Sequence, residues 1–144
     1  MITIRPYAPP DRAACLHLFD TNTPVYFAPN ERADYEEFLN NVPAAYYLCT
    51  QDDVILAAFG LWTQGIRGRI QWIMVANDAR GSGVGGKMMD YILAAASKAN
   101  VKIIDIAASQ KSAAFFAHYG AVHQKTTTEG WGPGLDRVDM ILEI

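Results

Sequence analysis

The chain has 144 residues, 51% of them hydrophobic and 19% charged, enough apolar material to bury one sizeable core and so to predict a single domain over 1–144. Its formal charge of −3 excludes the basic face of a nucleic-acid binder or of a protein held on an anionic membrane, and mildly favours a cationic partner. No apolar run approaches the ~20 residues of a membrane span, and the opening "MITIRPYAPPD" lacks a signal-peptide core of ~7 to 15 apolar residues, so a cytoplasmic protein is expected.

"ITIRPY" alternates and then meets prolines, which predicts a first strand ending near Pro6. Asp11, after Pro9 and Pro10, is placed to cap a short amphipathic helix running to about Asp20, with Ala14, Cys15, Leu18 and Phe19 on its apolar side. After the polar, aromatic loop "TNTPVYFAPN", a second helix starts near Asn30, with Tyr35, Phe38, Leu39 and Val42 at helical spacing. "AYYLCT" and "VILAAFGLW", separated by "QDD", read as two antiparallel strands around a tight turn, and "RIQWIMV", after a break at Gly65 to Gly68, completes a meander. The glycine-rich "ARGSGVGGKMM" follows, then a helix from about Gly83 to Ser97 with Val84, Met88, Ile92 and Ala95 or Ala96 on one face, then the strand "VKIIDIAA", making a β-α-β crossover. "SAAFFAHYG" is a short helix closed by Gly120. "AVHQKTT" and "RVDMILEI", on either side of the insert "EGWGPGLD", read as a terminal hairpin. Cys15 and Cys49 have neither framework number nor zinc-ligand spacing and read as small buried apolar residues of a reducing compartment, with no metal site.

Four glycines in the six positions 81–86 lie where a helix begins. A helix start leaves main-chain N–H groups unpaired and concentrates positive charge, so a side-chain-poor approach there makes an anion site, with phosphate the obvious occupant. Three readings compete. The glycines could form a plain turn. Gly81, Gly83 and Gly86 also satisfy the dinucleotide pattern G-x-G-x-x-G with Asp105 downstream, although "ANDAR" separates them from the preceding strand and that strand closes an antiparallel meander. Thirdly, "VANDARGSGVGGKMM" resembles the acetyl-CoA loop of the GNAT superfamily of N-acetyltransferases, R/Q-x-x-G-x-G/A after a V-x-P-x-x-R-G approach. Arg80, Gly83 and Gly85 occupy the motif, Val75 ends the approach strand, and Asn77 stands where proline is commonest. The order of elements also resembles that family's fold from first strand to last hairpin. It implies a mixed α/β (α+β) architecture: a central, mostly antiparallel sheet, splayed at the cofactor strand and flanked by about four helices.

The resemblance implies an N-acetyltransferase with acetyl-CoA as cosubstrate, moving an acetyl group to a primary amine by direct attack in a ternary complex. The N–H groups of Gly81, Ser82, Gly83, Val84, Gly85 and Gly86 would wrap the CoA pyrophosphate, Arg80 would lend charge, and Lys87 would screen the 3′-phosphate or face water. A bulge around Met74 and Val75 would free amides for the pantetheine arm and for the thioester carbonyl. The family's proton-donating tyrosine lies in a pattern like F-Y-x-x-x-G-F. Here "FFAHYGA" puts Phe116 at the tyrosine and Ala121 at the closing phenylalanine. Tyr119, nearly one turn on, is the alternative acid or else a core-edge residue, while Ser109, Gln110, Ser112 or the helix start could bond the pantetheine or stabilise the thiolate. Asp105, a lone carboxylate in an apolar strand, is the candidate base if desolvation raises its pKa, or else it pairs with an arginine or main-chain N–H. Tyr26, Phe27 and Trp131 would wall the acceptor, with Asp20 or Glu129 supplying charge, while Trp62 and Trp72 read as core or cofactor-wall residues. The acceptor would be a small-molecule or protein amine, with no nucleic-acid or membrane partner, and the terminal strands would allow a homodimer. A second reading, motivated by Phe116, is a catalytically silent acyl-CoA binding or sensing domain.

Overall fold

The computed structural model describes residues 1–42 and 45–144. Seven strands, β1 (Thr3–Pro6), β2 (Tyr46–Gln51), β3 (Val54–Gln64), β4 (Arg67–Val75), β5 (Ile103–Ala108), β6 (Val122–Gly132) and β7 (Leu135–Glu143), form one sheet in the order β1-β2-β3-β4-β5-β7-β6. The helices are α1 (Arg12–Thr21), α2 (Arg32–Asn40), α3 (Val84–Lys98) and α4 (Ala113–His118). This is the mixed α/β architecture expected, and the helices divide between the two sheet faces. Met88, Met89 and Ile92 of α3 and Phe116 of α4 pack with Phe59, Ile104, Ile106 and Met140. On the other face Phe19 of α1 and Tyr35 and Leu39 of α2 pack with Tyr46, Leu48 and Met74. Two covered faces explain why the central strands read as near-continuous apolar runs. No helix among the described residues is long and apolar enough to cross a membrane.

Local chemistry sets the turns. Asp52 and Asp53, both at positive φ (53° and 63°), make the two-residue turn whose twist suits the β2–β3 hairpin. The break after β3 is shorter than Gly65 to Gly68 implies: only Gly65 and Ile66 turn, and Gly68 lies inside β4. The insert "EGWGPGLD" is mostly strand as well, since β6 continues to Gly132 through a register shift with Glu129 at φ 51°. Asp11 does stand at the start of α1, but its carboxylate takes bonds from Arg5 and from Ala8 N–H, sealing the preceding turn.

β4 and β5 run parallel, as the crossover requires, but pair only over Arg67–Arg69 with Ile103–Asp105. Beyond Arg69 they diverge. A bulge bends β4 just after this point: Gly60 pairs with Gln71 and Ala58 with Met74, leaving an extra residue opposite Phe59, and Trp72 takes φ 45°. The bulge therefore sits at Trp72 and Ile73, not at Met74 and Val75. Ala76 N–H donates to Leu56 O at 2.7 Å. Strand alternation from there turns the main chain of Met74 to β3 and that of Ile73 and Val75 toward the gap, so Met74 offers no free amide.

Candidate active site

The divergence of β4 and β5 opens a cavity of about 800 Å³. Trp72 to Val75 line one side and Asp105 to Ser109 the other, with Gly85 and Met88 of α3 and Phe115 and Phe116 of α4 at one end. Tyr26, Phe27 and Glu31 from the α1–α2 segment and Trp131, Arg137 and Asp139 from the β6–β7 hairpin complete the lining. These two contributors, segment and hairpin, are bridged. Asn30 Nδ2 donates to Trp131 O, and Trp131 Nε1 donates to Ala108 O, both at 2.9 Å.

Gly83 precedes α3 at φ 89° and Gly81 lies at φ 83°, conformations that only glycine adopts cheaply, and neither has an atom within 4 Å of where a Cβ would stand. The first bond of α3 runs from Lys87 N–H to Gly83 O. Ser82 N–H donates to Ala79 O, and Val84 N–H makes a long 3.4 Å bond to Ser82 Oγ. The N–H groups of Gly81, Gly83, Gly85 and Gly86 have no partner among the described residues. The other two glycines serve packing as well. A Cβ on Gly85 would lie 2.8 Å from the Phe115 ring, and one on Gly86 3.4 Å from the Tyr119 hydroxyl.

Arg80 does not reach toward this loop. Its guanidinium donates to Asn22 Oδ1 at 2.7 Å and Val75 O at 3.2 Å and lies over the Tyr26 ring at 4.0 Å. Asn77, in place of the usual proline, donates through Nδ2 to Thr21 O at the end of α1. Lys87 is exposed.

Phe116 is buried against the cavity and carries no proton to give. Tyr119 is not the substitute that its spacing implied: it lies outside the cavity lining, packs on Phe115 and points its hydroxyl at Gly86. Ser109 and Ser112 line the cavity, but their hydroxyls accept from Lys111 N–H and Ser109 N–H and so fold the start of α4. Gln110 is held by the hairpin, donating to Gly134 O and accepting from Asp136 N–H. Asp105 faces the cavity in a two-bond ion pair with Arg67 (2.7 and 3.1 Å), and that guanidinium holds its carboxyl below the ordinary range. The expected upward shift by desolvation is thus reversed, and the pairing reading of Asp105 prevails over that of a base. Tyr26, Phe27 and Trp131 do share the cavity wall. Asp20 and Glu129 do not: Asp20 pairs with Arg32, and Glu129 accepts from Gly134 N–H. Trp72 stacks on Phe27 beside the cavity, whereas Trp62 lies under Arg69.

The sequence model of the acetyltransferase (GNAT) family matches residues 13–121. The chain belongs to that family. Among solved structures the GNAT chain resembles Ard1 from Thermoplasma volcanium (18% identity, TM-score 0.83, 99% of this chain and 97% of that one). It also resembles the ribosomal-protein-S18-alanine N-acetyltransferase of Escherichia coli (18%, 0.78, 100% and 94%). A third is yncA of Salmonella typhimurium, solved with its cofactor acetyl-CoA (15%, 0.72, 99% and 94%). No curated protein sequence matches significantly. Membership implies acetyl transfer from an acyl-CoA.

Two residues of this GNAT chain that composition and spacing passed over stand out. Glu31 is 6% exposed, lines the cavity, and accepts the Ala28 N–H on Oε2 at 2.8 Å; burial pushes its carboxyl up to about 7. Asn22, 1% exposed, donates to Leu18 O and Val75 O while its Oδ1 receives Arg80. One amide thus joins the end of α1, the end of β4 and the first residue of the glycine motif. The spacing Ala28-Pro29-x-Glu31, which lets Glu31 take the Ala28 N–H as half of a capping box, is readable in the sequence; the burial of Glu31 is not.

Proposed function

We propose that this GNAT chain transfers an acetyl group from acetyl-CoA to a primary amine by direct attack of the amine within a ternary complex. The observation that carries the reading is the set of unpartnered amides at Gly81, Gly83, Gly85 and Gly86, at the start of a 15-residue helix and beside a splayed strand. Those amides and the helix dipole fit a pyrophosphate. The outward main-chain groups of Ile73 and the outward N–H of Val75 fit an extended arm that pairs like an added strand. Arg80 and Asn22 act as positioning residues, fixing the carbonyl of Val75 where that arm would lie. Acetyl-CoA supplies an activated thioester whose thiol is a tolerable leaving group, which suits a site with Phe116 in place of a proton donor. The acceptor is read as a small-molecule or protein amine bound against Tyr26, Phe27 and Trp131.

A second reading, a silent acyl-CoA sensor, is favoured by Phe116 alone. Thiol release in acetyl-CoA with a broad panel of amines separates the two: amine-dependent release supports the enzyme, and binding without release supports the sensor. Gly83→Glu tests the loop. Its positive φ strains any L residue by roughly 1–2 kcal/mol, and the new carboxylate would oppose the phosphates, so the Kd for acetyl-CoA measured by calorimetry should rise about 100-fold or more. An unchanged Kd in a folded variant removes the loop from the account.

A further inference from the structure

Resting on the acetyltransferase reading, we propose that Glu31 is the group that takes the proton from the acceptor's primary ammonium. Glu31 is a carboxylate of the cavity lining, carried there by the turn that precedes α2. The Ala28–Glu31 turn is pressed onto the β6–β7 hairpin, with Asn30 bonded to Trp131, Trp131 bonded to Ala108, and Gly132 seated against Ala28. The bridge holds the turn that carries Glu31 against the hairpin, and the carboxyl group has one donor. Oε2 receives Ala28 N–H, and the described residues offer Oε1 no donor.

The nearby cations are committed elsewhere. On α2, Arg32 pairs with Asp20 and Glu36; on β7, Arg137 pairs with Asp139 and lies over the Trp131 ring at 5.0 Å; on β4, Arg69 lies over Trp62; Arg80 is held by Asn22. Lys111, the other cation in the lining, is exposed. Asp34, one turn along α2, is the acid whose charge acts on Glu31, and like burial it favours the protonated form. Tyr35 spends its hydroxyl on Tyr46. A buried carboxyl group with no ion-pair partner, in a cavity also lined by Phe27, Trp72 and Trp131, is complementary to an alkylammonium. The step balances simply: one proton moves from nitrogen to a carboxylate oxygen, the amine nitrogen regains its lone pair, and Glu31 then returns the proton to solvent.

The test compares wild type with Glu31→Gln, whose amide oxygen still accepts Ala28 N–H, using the most active of butylamine, 1,4-diaminobutane, tyramine and a dipeptide. Wild-type kcat/KM should rise with pH and level off above about 7. The Gln variant should fall by about 10²-fold or more at pH 7.5 and keep rising toward the amine's own pKa, with its Kd for acetyl-CoA within twofold of wild type. A matching profile and rate in the variant overturns the role of Glu31 alone, whereas absence of thiol release with every amine overturns the acetyltransferase reading itself. Independently of turnover, 13C-carboxyl NMR of the CoA-saturated protein should show the Glu31 resonance titrating near pH 7 and moving to lower pH with butylamine. A resonance that titrates in the ordinary glutamate range, or ignores the amine, overturns the assignment.

Discussion

A carboxyl group that loses its water on folding holds its proton more tightly, and Glu31 does so with a single main-chain donor to set against the loss. Its pKa rises from 4.5 in the unfolded chain to about 7, so between those values the folded protein binds more protons than the unfolded one. The sign follows: the contribution is fully present below about pH 4.5 and is lost as pH rises through 7. Glu31→Gln removes that dependence. Urea denaturation at pH 4.5 and pH 8 should show the variant gaining up to about 3 kcal/mol on wild type across the interval, and identical pH dependence in both proteins would contradict the burial argument. Asp105 is the opposite case. Its neighbours along the chain are apolar, which suggests burial, but its partner Arg67 lies 38 positions away and meets it only through the short parallel pairing of β4 and β5. Glu31 escaped notice for the same reason in reverse. "APNER" looks like an exposed helix start, and the hairpin that its Asn30 holds, through Trp131 O, lies 101 residues distant.

Helices and strands whose signals are local were legible. The glycine motif, the start of α3, the Asp52–Asp53 turn and the crossover all follow from conformational demands visible within a few residues. What local signals missed was where elements touch. Gly85 and Gly86 read as an approach path for phosphate, yet they also let α4 close on α3 through Phe115 and Tyr119, and that contact is what draws Tyr119 out of the cavity. The bulge lies at Trp72, two residues before the expected position, because nothing in "RIQWIMV" marks a positive φ at tryptophan; the hydroxyl of Tyr46, reaching from β2 past β3, is bonded to Trp72 O. The bridge across the acceptor end is likewise a contact between elements. A Cβ on Gly132 would come 2.5 Å from Asn30 Oδ1 and 2.6 Å from Ala28 Cβ. Gly132→Ala should lower stability by roughly 1–3 kcal/mol through overpacking and raise the KM for the amine several-fold while leaving the Kd for acetyl-CoA unchanged. A normal denaturation midpoint with unaltered KM would show that the two segments do not press together.

The assembled chain brings a helix start with unpaired amides, an open strand edge and a buried glutamate together at one cavity, each contributed by a different part of the sequence. Asn22 ties the end of β4 to the start of the glycine motif, since the same amide bonds Val75 O and the Arg80 guanidinium, which it holds turned away from the loop. The fold was legible because the order of elements is characteristic; the acceptor end was not, because it is built from loop and hairpin contacts distant in the chain. The most direct measurement is a 15N-resolved NMR titration with CoA. The account predicts saturable shifts at the amides of Gly81, Gly83, Gly85 and Gly86, together with Ile73 and Val75, and no comparable response to NADH. Unmoved glycine amides at saturating CoA, or the same amides answering NADH instead, would contradict it.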